Sequence, residues 1–220
     1  VKPLTKWCAT CYDAARIPEY LSIAFRQATM GRPGPVFLEL PPDILFAEID
    51  ESLAPMPSRR RHKTHVQPAA DELEAAARIL NSAQKPMFLG GTGIGMSDCG
   101  AALEQFIQKT GMPFALINYG RGVLPDTHPQ SVNPGGFTGL TAGLPMCDVI
   151  VAVGVRFNWV LQSGNLFPNA RGIRIDIDPA ELDRNRAADV GLAGDAGMVL
   201  EKLLPLVEQR SHASWLETFK

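Results

Sequence analysis

The run Val149-Ile150-Val151-Ala152-Val153 constrains this chain more than any other feature. Consecutive apolar, mostly β-branched residues favour a strand, and without polar alternation that strand has no face left for water. A strand covered on both sides belongs in a parallel sheet between helices, and the neighbouring segments fit. Leu73, Ala76, Ala77 and Leu80 make a helix face, Pro86 to Leu89 a strand, Gly90 to Gly95 a turn, and Leu103, Phe106 and Ile107 mark a second helix. Strand Pro113 to Ile117, a long Gly/Pro-rich loop, the opening run, strand Gly172 to Ile177 and a final helix Met198 to Val207 complete the series. The expected fold is α/β, with a doubly wound parallel sheet.

Two stretches precede this region. Residues 1–48 hold a strand-like Leu4 to Trp7, an amphipathic helix Ile17 to Met30 with Pro18 in its first turn, a stop at Gly31-Arg32-Pro33-Gly34-Pro35, and a short strand Val36 to Leu40 closed by Pro41-Pro42. One helix and one strand cannot bury their own faces, and the chain starts at Val1, so these residues read as the tail of a domain. Residues 49–70 have linker composition, with prolines at 55, 57 and 68 and the basic run Arg59-Arg60-Arg61-His62-Lys63. Solvated charges in a linker need no ligand to explain them.

A net charge of −2 over 220 residues argues against nucleic acid or anionic lipid as the main partner. No apolar run approaches the ~20 residues that span a bilayer, and the start lacks a signal-peptide pattern, so the expected location is cytoplasmic. Cys8 and Cys11 form a C-x-x-C, which suits a redox pair or half a zinc site. Cys99 and Cys147 are far apart, no His stands at ligand spacing, and the pair follows a strand-like segment instead of opening a helix. Small buried thiols are the simpler expectation.

Chemistry is sought at strand ends. Ile173-Arg174-Ile175-Asp176-Ile177-Asp178-Pro179-Ala180-Glu181 delivers two carboxylates at the end of a strand, where open parallel sheets meet the ribose of a nucleotide. Gly91, Gly93 and Gly95 follow the first strand as G-x-G-x-G, which is not the dinucleotide fingerprint, and Ile117-Asn118-Tyr119 lacks the acid that fingerprint needs. Arg156 in Gly154-Val155-Arg156-Phe157-Asn158-Trp159 can fork onto a phosphate or stack on a purine; its alternative is a pairing with Asp176 or Asp178. Gly194-Asp195 invites a magnesium reading, but no Asn follows Asn185, and a helix start explains Asp195 more simply. His128 and His212 have no Ser or Cys at motif spacing and no G-x-S-x-G occurs, so no catalytic residue is expected here.

Taken together, Gly31-Arg32-Pro33-Gly34-Pro35-Val36-Phe37-Leu38-Glu39-Leu40-Pro41, Ile175 to Glu181 and Gly194-Asp195 resemble the thiamine-diphosphate enzymes of the acetolactate synthase superfamily, over essentially the whole chain. The resemblance implies a Rossmann-like central domain at 71–208, the C-terminal part of a pyrimidine-binding domain at 1–48, and at 209–220 the start of the connection to a diphosphate-binding domain. Thiamine diphosphate and Mg2+ would be held outside this chain, as would the activating glutamate, so the chain alone is expected to be inactive and to hold no metal.

Within the superfamily, Gly120 to Pro129 and Arg156-Phe157-Asn158-Trp159 look most like oxalyl-CoA decarboxylases and 2-hydroxyacyl-CoA lyases. That branch implies ADP or the adenine part of CoA in the central domain, touching Arg32, Arg156, Asp176 and Ala196; Thr92 stands where the branch often has Lys. The full candidate set is Arg32, Gly91, Thr92, Arg156, Asn158, Asp176, Asp178, Asp195 and Ala196. Acetolactate synthases tend to carry two acids where Asn158-Trp159 stands and hold FAD, which gives the alternative of a carboligase with FAD. A ligand-free structural domain is the alternative of another class. The whole enzyme is expected to act on a small-molecule substrate as a homodimer or homotetramer.

Overall fold

The computed structural model describes residues 1–57 and 66–219. The chain forms two compact units, Val1–Thr64 and His65–Lys220. The basic run at 59–63 lies outside the described residues.

In the first unit, β1 (Trp7–Thr10) pairs in parallel with β2 (Val36–Glu39), Trp7 beside Val36 through Thr10 beside Glu39. Parallel strands need a crossover, and α1 (Ile17–Thr29) supplies it. The strand expected at Leu4 to Trp7 begins later because Lys2–Leu4, with Pro3 among them, turns as a 3-10 helix. The C-x-x-C therefore starts inside β1 instead of following it. Cys11 is buried, donates its amide to the Glu39 carbonyl at 3.0 Å, and like Cys8 is a free thiol. The helix ends before Gly31, whose φ of +56° suits glycine best. The short α2 (Pro42–Leu45) follows β2, and Glu51–Leu53 forms a 3-10 turn capped by Asp50 within the expected linker.

The second unit runs α3 (Ala70–Ser82), β3 (Pro86–Gly90), α4 (Thr92–Met96), α5 (Gly100–Thr110), β4 (Phe114–Leu116), α6 (Gly136–Gly143), β5 (Val149–Val153), β6 (Arg171–Asp176), β7 (Val190–Ala193), α7 (Ala196–Leu203) and α8 (Ala213–Leu216). Its five strands pair in parallel in the order β4-β3-β5-β6-β7. Strict alternation along the strands feeds two cores. Phe88, Val149, Val151, Val153, Ile173, Ile175 and Leu192 point to the face covered by α3, α5 and α7. Met87, Leu89, Ile150 and Ala152 point to the other face, against Leu140, Phe157, Phe167, Trp215 and Phe219. The doubly covered parallel sheet expected from the apolar runs is the one present.

At the amino edge of the sheet, both Asp148 oxygens accept backbone amides, Gln84 at 2.6 Å and Lys85 at 2.9 Å. Trp215 donates its indole N–H to the Pro86 carbonyl at 2.8 Å and meets Phe219 edge to face at 4.8 Å. Residues after α7 are thus packed along this edge as part of the second unit, with Lys109 Nζ on the Leu204 carbonyl at 2.8 Å.

Candidate functional site

β3, the first strand of this sheet in the chain, lies between β4 and β5. The chain leaves β3 toward one edge and β5 toward the other, so the order reverses between them, and ligands of such sheets bind beyond the carboxyl ends at that reversal. Here the loops after β3 and β5 meet backbone to backbone. A Cβ on Gly91 would stand 2.6 Å from the Gly154 carbonyl oxygen, and one on Gly93 2.6 Å from the Gly154 Cα. Gly91 donates its amide to the Val153 carbonyl at 3.0 Å and Gly93 donates to Gly154 at 3.2 Å. Gly95 and Gly120 make similar close approaches, to the carbonyls of Tyr119 and Gly91. The glycines therefore knit three strand ends together, and two amides of the expected phosphate turn are already donated within the protein. Thr92 is half-buried and opens α4, a helix inside the stretch expected as a plain turn.

The loop after β5 forms the next wall, and segment 174–186 holds it. Arg174, 2% exposed, donates to the Val155 carbonyl at 3.2 Å and lays its guanidinium 4.0 Å from the Phe157 ring centre. Asn185 donates to the Phe157 carbonyl at 2.5 Å. Arg186 reaches the carbonyls of Gly164, Phe167 and Ala170 at 2.9, 2.6 and 2.5 Å. Arg156 pairs with Glu181 at 3.3 Å, not with either aspartate considered from the sequence. Glu181 is buried and pairs also with Arg184 at 3.0 Å. Asn158 spends its side chain capping its own turn, accepting from Val160 at 3.1 Å, and Trp159 beside it is 84% exposed.

Asp176 ends β6 half-buried, with Oδ1 accepting the Asp178 amide at 3.0 Å. Burial pushes its carboxyl above the ordinary value, the Asp178 amide pulls back, and nearby Glu181 and Asp178 push further up. Asp178 accepts from Ala180 at 3.1 Å. Asp195 caps α7 through Met198 at 3.3 Å, with the Ser97 hydroxyl at 3.4 Å, and Ala196 is the first, buried residue of that helix. The structure thus gathers Gly91, Thr92, Arg156, Asn158, Asp176, Asp178, Asp195 and Ala196 along the carboxyl edge of one sheet. Arg32 belongs to the first unit, exposed in the turn after α1, where its carbonyl accepts Lys6 Nζ at 3.0 Å.

Arg174, Glu181 and Arg184 escaped the sequence reading. One signal was available: Arg174 is charged within an otherwise apolar strand, so it had to find partners at the strand's end. Among the described residues no group of three or more His, Cys, Asp or Glu side chains is placed to hold a metal ion, and no helix is long and apolar enough to cross a membrane.

Residues 73–203 match the family model described as thiamine pyrophosphate enzyme, central domain. The chain is 33% identical to the "Probable acetolactate synthase large subunit" of Methanocaldococcus jannaschii, over 98% of this chain and 38% of that protein. It is 37% identical to the acetolactate synthase isozyme 2 large subunit of Escherichia coli, over 93% of this chain and 37% of that one. The chain therefore spans under two-fifths of these relatives. A solved structure from Mycobacterium smegmatis, named as a thiamin diphosphate-dependent enzyme, superposes on 94% of this chain and 40% of its own with a TM-score of 0.75 at 24% identity, which speaks to the fold.

Proposed function

The chain belongs to the central-domain family of thiamine pyrophosphate enzymes, and from that membership we propose that it is the middle segment of a larger enzyme of the acetolactate synthase type. That whole enzyme would join carbon skeletons next to a carbonyl, in the cytoplasm, as a homodimer or homotetramer with no nucleic acid partner. The observation carrying this reading is the acetolactate synthase name on relatives aligned across more than nine-tenths of the chain. Bound thiamine diphosphate with Mg2+ supplies the electron sink for making or breaking the C–C bond. No residue of this chain is assigned a part in that step.

The chain's own contribution is a nucleotide crevice at the carboxyl edge. Arg156 offers donors to a diphosphate, Asp176 offers a carboxylate to a ribose, and the glycine-tied loops give them a fixed floor. FAD is the nucleotide that the acetolactate synthase reading implies. A second reading keeps ADP or CoA, with the oxalyl-CoA decarboxylase and 2-hydroxyacyl-CoA lyase branch as its home; Asn158-Trp159 in place of an acidic pair favours it. Absorbance and mass spectrometry of whatever the purified chain releases on denaturation separate them. A flavin supports the first reading, and ADP or CoA supports the second. An empty protein that also fails to bind ADP and FAD in calorimetry returns the crevice to a structural role.

A further inference from the structure

After α7 the chain runs as a strap along the amino edge of the sheet, held by the ends of other elements. Arg210 donates its amide to the Lys109 carbonyl at 3.0 Å and its guanidinium to the Asn81 carbonyl. The Asn81 side chain donates to the Leu206 carbonyl at 3.1 Å and accepts the Glu208 amide at 2.9 Å. Further on, Trp215 is bonded to Pro86, and the Phe219 ring lies so close to Gly143 that a Cβ there would overlap it. Between these two sets of holds sits His212, 8% exposed, lining a small cavity with Leu80, Pro86, Thr110 and Met112. Its carbonyl accepts the Leu216 amide at 2.9 Å, so the ring stands where the α8 turn carrying Trp215 begins.

The charges near this ring oppose one another. Arg210 on the strap and Asp148 before β5 act on it with opposite sign, Glu208 lines the same cavity, and Lys85 lies over the Trp215 ring. From α3 and α5 the cavity-lining residues Leu80, Asn81 and Thr110 carry no charge. Asp148 keeps its charge while accepting the Gln84 and Lys85 amides, so it favours a proton on His212. Burial nonetheless pushes the ring below the ordinary histidine value; the Gln84 backbone and Asp148 pull back, and Arg210 pushes further down.

We propose that His212 makes the hold of residues 209–219 on the sheet edge sensitive to pH, firm while the ring is neutral and loosened when it takes a proton. Between its folded value and the ordinary one of about 6.5, the freed strap binds a proton that the docked strap lacks. Docking therefore weakens as pH falls through that window. In the middle-segment reading above, residues 209–220 lead toward the next domain, so a loosened strap loosens that connection. The device itself does not depend on that reading.

The test is hydrogen exchange on the full 220-residue chain, corrected for intrinsic rates, between about pH 7.5 and about pH 5, the span around an ordinary histidine. Protection of the amides in 209–219 is expected to fall with pH, by at most about tenfold per pH unit, the limit for one proton. Protection of β5 should stay constant over the same span. In His212→Gln, which keeps a polar side chain without the titration, the pH dependence of 209–219 should vanish. Equal protection of the strap at both ends of the span, or a fall shared by β5, overturns the device, as does the same pH dependence in a folded His212→Gln. Where His212→Gln does not fold, an NMR titration of the His212 ring in the unsubstituted chain decides. A ring that takes its proton at or above about 6.5 overturns the proposal, and one that takes it below supports it.

Discussion

Gly93 and Gly154 touch through their main chains: the amide of one donates to the carbonyl of the other at 3.2 Å, and a Cβ on Gly154 would stand 2.4 Å from the Cα of Gly93. Gly154 also holds φ at +58°. Gly154→Ala therefore adds left-handed strain to a backbone clash, with an expected loss of roughly 2–4 kcal/mol. Gly100→Ala, whose added Cβ meets nothing closer than 3.7 Å in the first turn of α5, should be neutral or stabilising. Urea unfolding midpoints of the two variants check both signs.

Arg174 is expected to be the costliest charge to remove. Arg174→Met leaves the carbonyls of Val155 and Arg184 without their donor and takes the cation off Phe157. The expected loss is about 2–4 kcal/mol, with faster hydrogen exchange concentrated in 155–170. Uniform exchange across the second unit would show that the side chain supports the core generally and not this loop.

Asp176 sets a pH dependence whose sign follows from its burial. Its folded-state carboxyl lies above the ordinary value, so in the window between the two the folded protein binds more protons than the unfolded chain. Stability contributed by this group therefore falls as pH rises through that window, and the ionised form remains a cost at neutral pH. Asp176→Asn should flatten that segment of the stability profile and raise the melting temperature at pH 7. In the nucleotide reading, Asp176→Ala should also cost about 1–3 kcal/mol of binding, which ADP and FAD titrations measure.

The thiols should separate by accessibility. Cys11, Cys99 and Cys147 are buried and Cys8 is half-buried. Burial pushes the Cys147 thiol up to about 12 and raises Cys99 as well. A disulfide reagent at neutral pH should label Cys8 in the native chain, with the others reacting after denaturation. Rapid native labelling of Cys147 would show that its core opens.

Supplied with thiamine diphosphate and Mg2+, the chain alone should turn over neither a 2-oxo acid nor a 2-hydroxyacyl-CoA. Among the described residues there is no cluster suited to the metal. A steady-state assay with the purified chain checks this.

The legible parts of the fold were those where one face or both were strongly apolar. β5 declared itself because Val149 to Val153 has no polar residue, and α3 because Leu73, Ala76, Ala77 and Leu80 share a stripe. β7 escaped because Val190-Gly191-Leu192-Ala193 is short, carries a glycine and forms the edge, where burial is partial and the pattern weak. α6 escaped because glycines at 136, 139 and 143 look like loop. The aspartates of the crevice were visible because a strand end predicts where a side chain goes. The Arg156–Glu181–Arg184 cluster was not, because nothing in residue spacing says that a 3-10 turn folds Glu181 back beneath two arginines.

The wall at 155–170 is gripped by its main-chain oxygens: carbonyls at 155, 157, 164, 167 and 170 all accept from Arg174, Asn185 or Arg186. Every amino acid brings a carbonyl, so the grip is indifferent to what the solvent-facing positions of this wall carry. Trp159, 84% exposed, can be exchanged without loosening the scaffold, whereas its neighbour Asn158 has to keep the oxygen that accepts the Val160 amide. In the nucleotide reading, selectivity would accordingly be rewritten at Trp159 by substitution alone, while the three anchoring side chains, Arg174, Asn185 and Arg186, have to stay as they are.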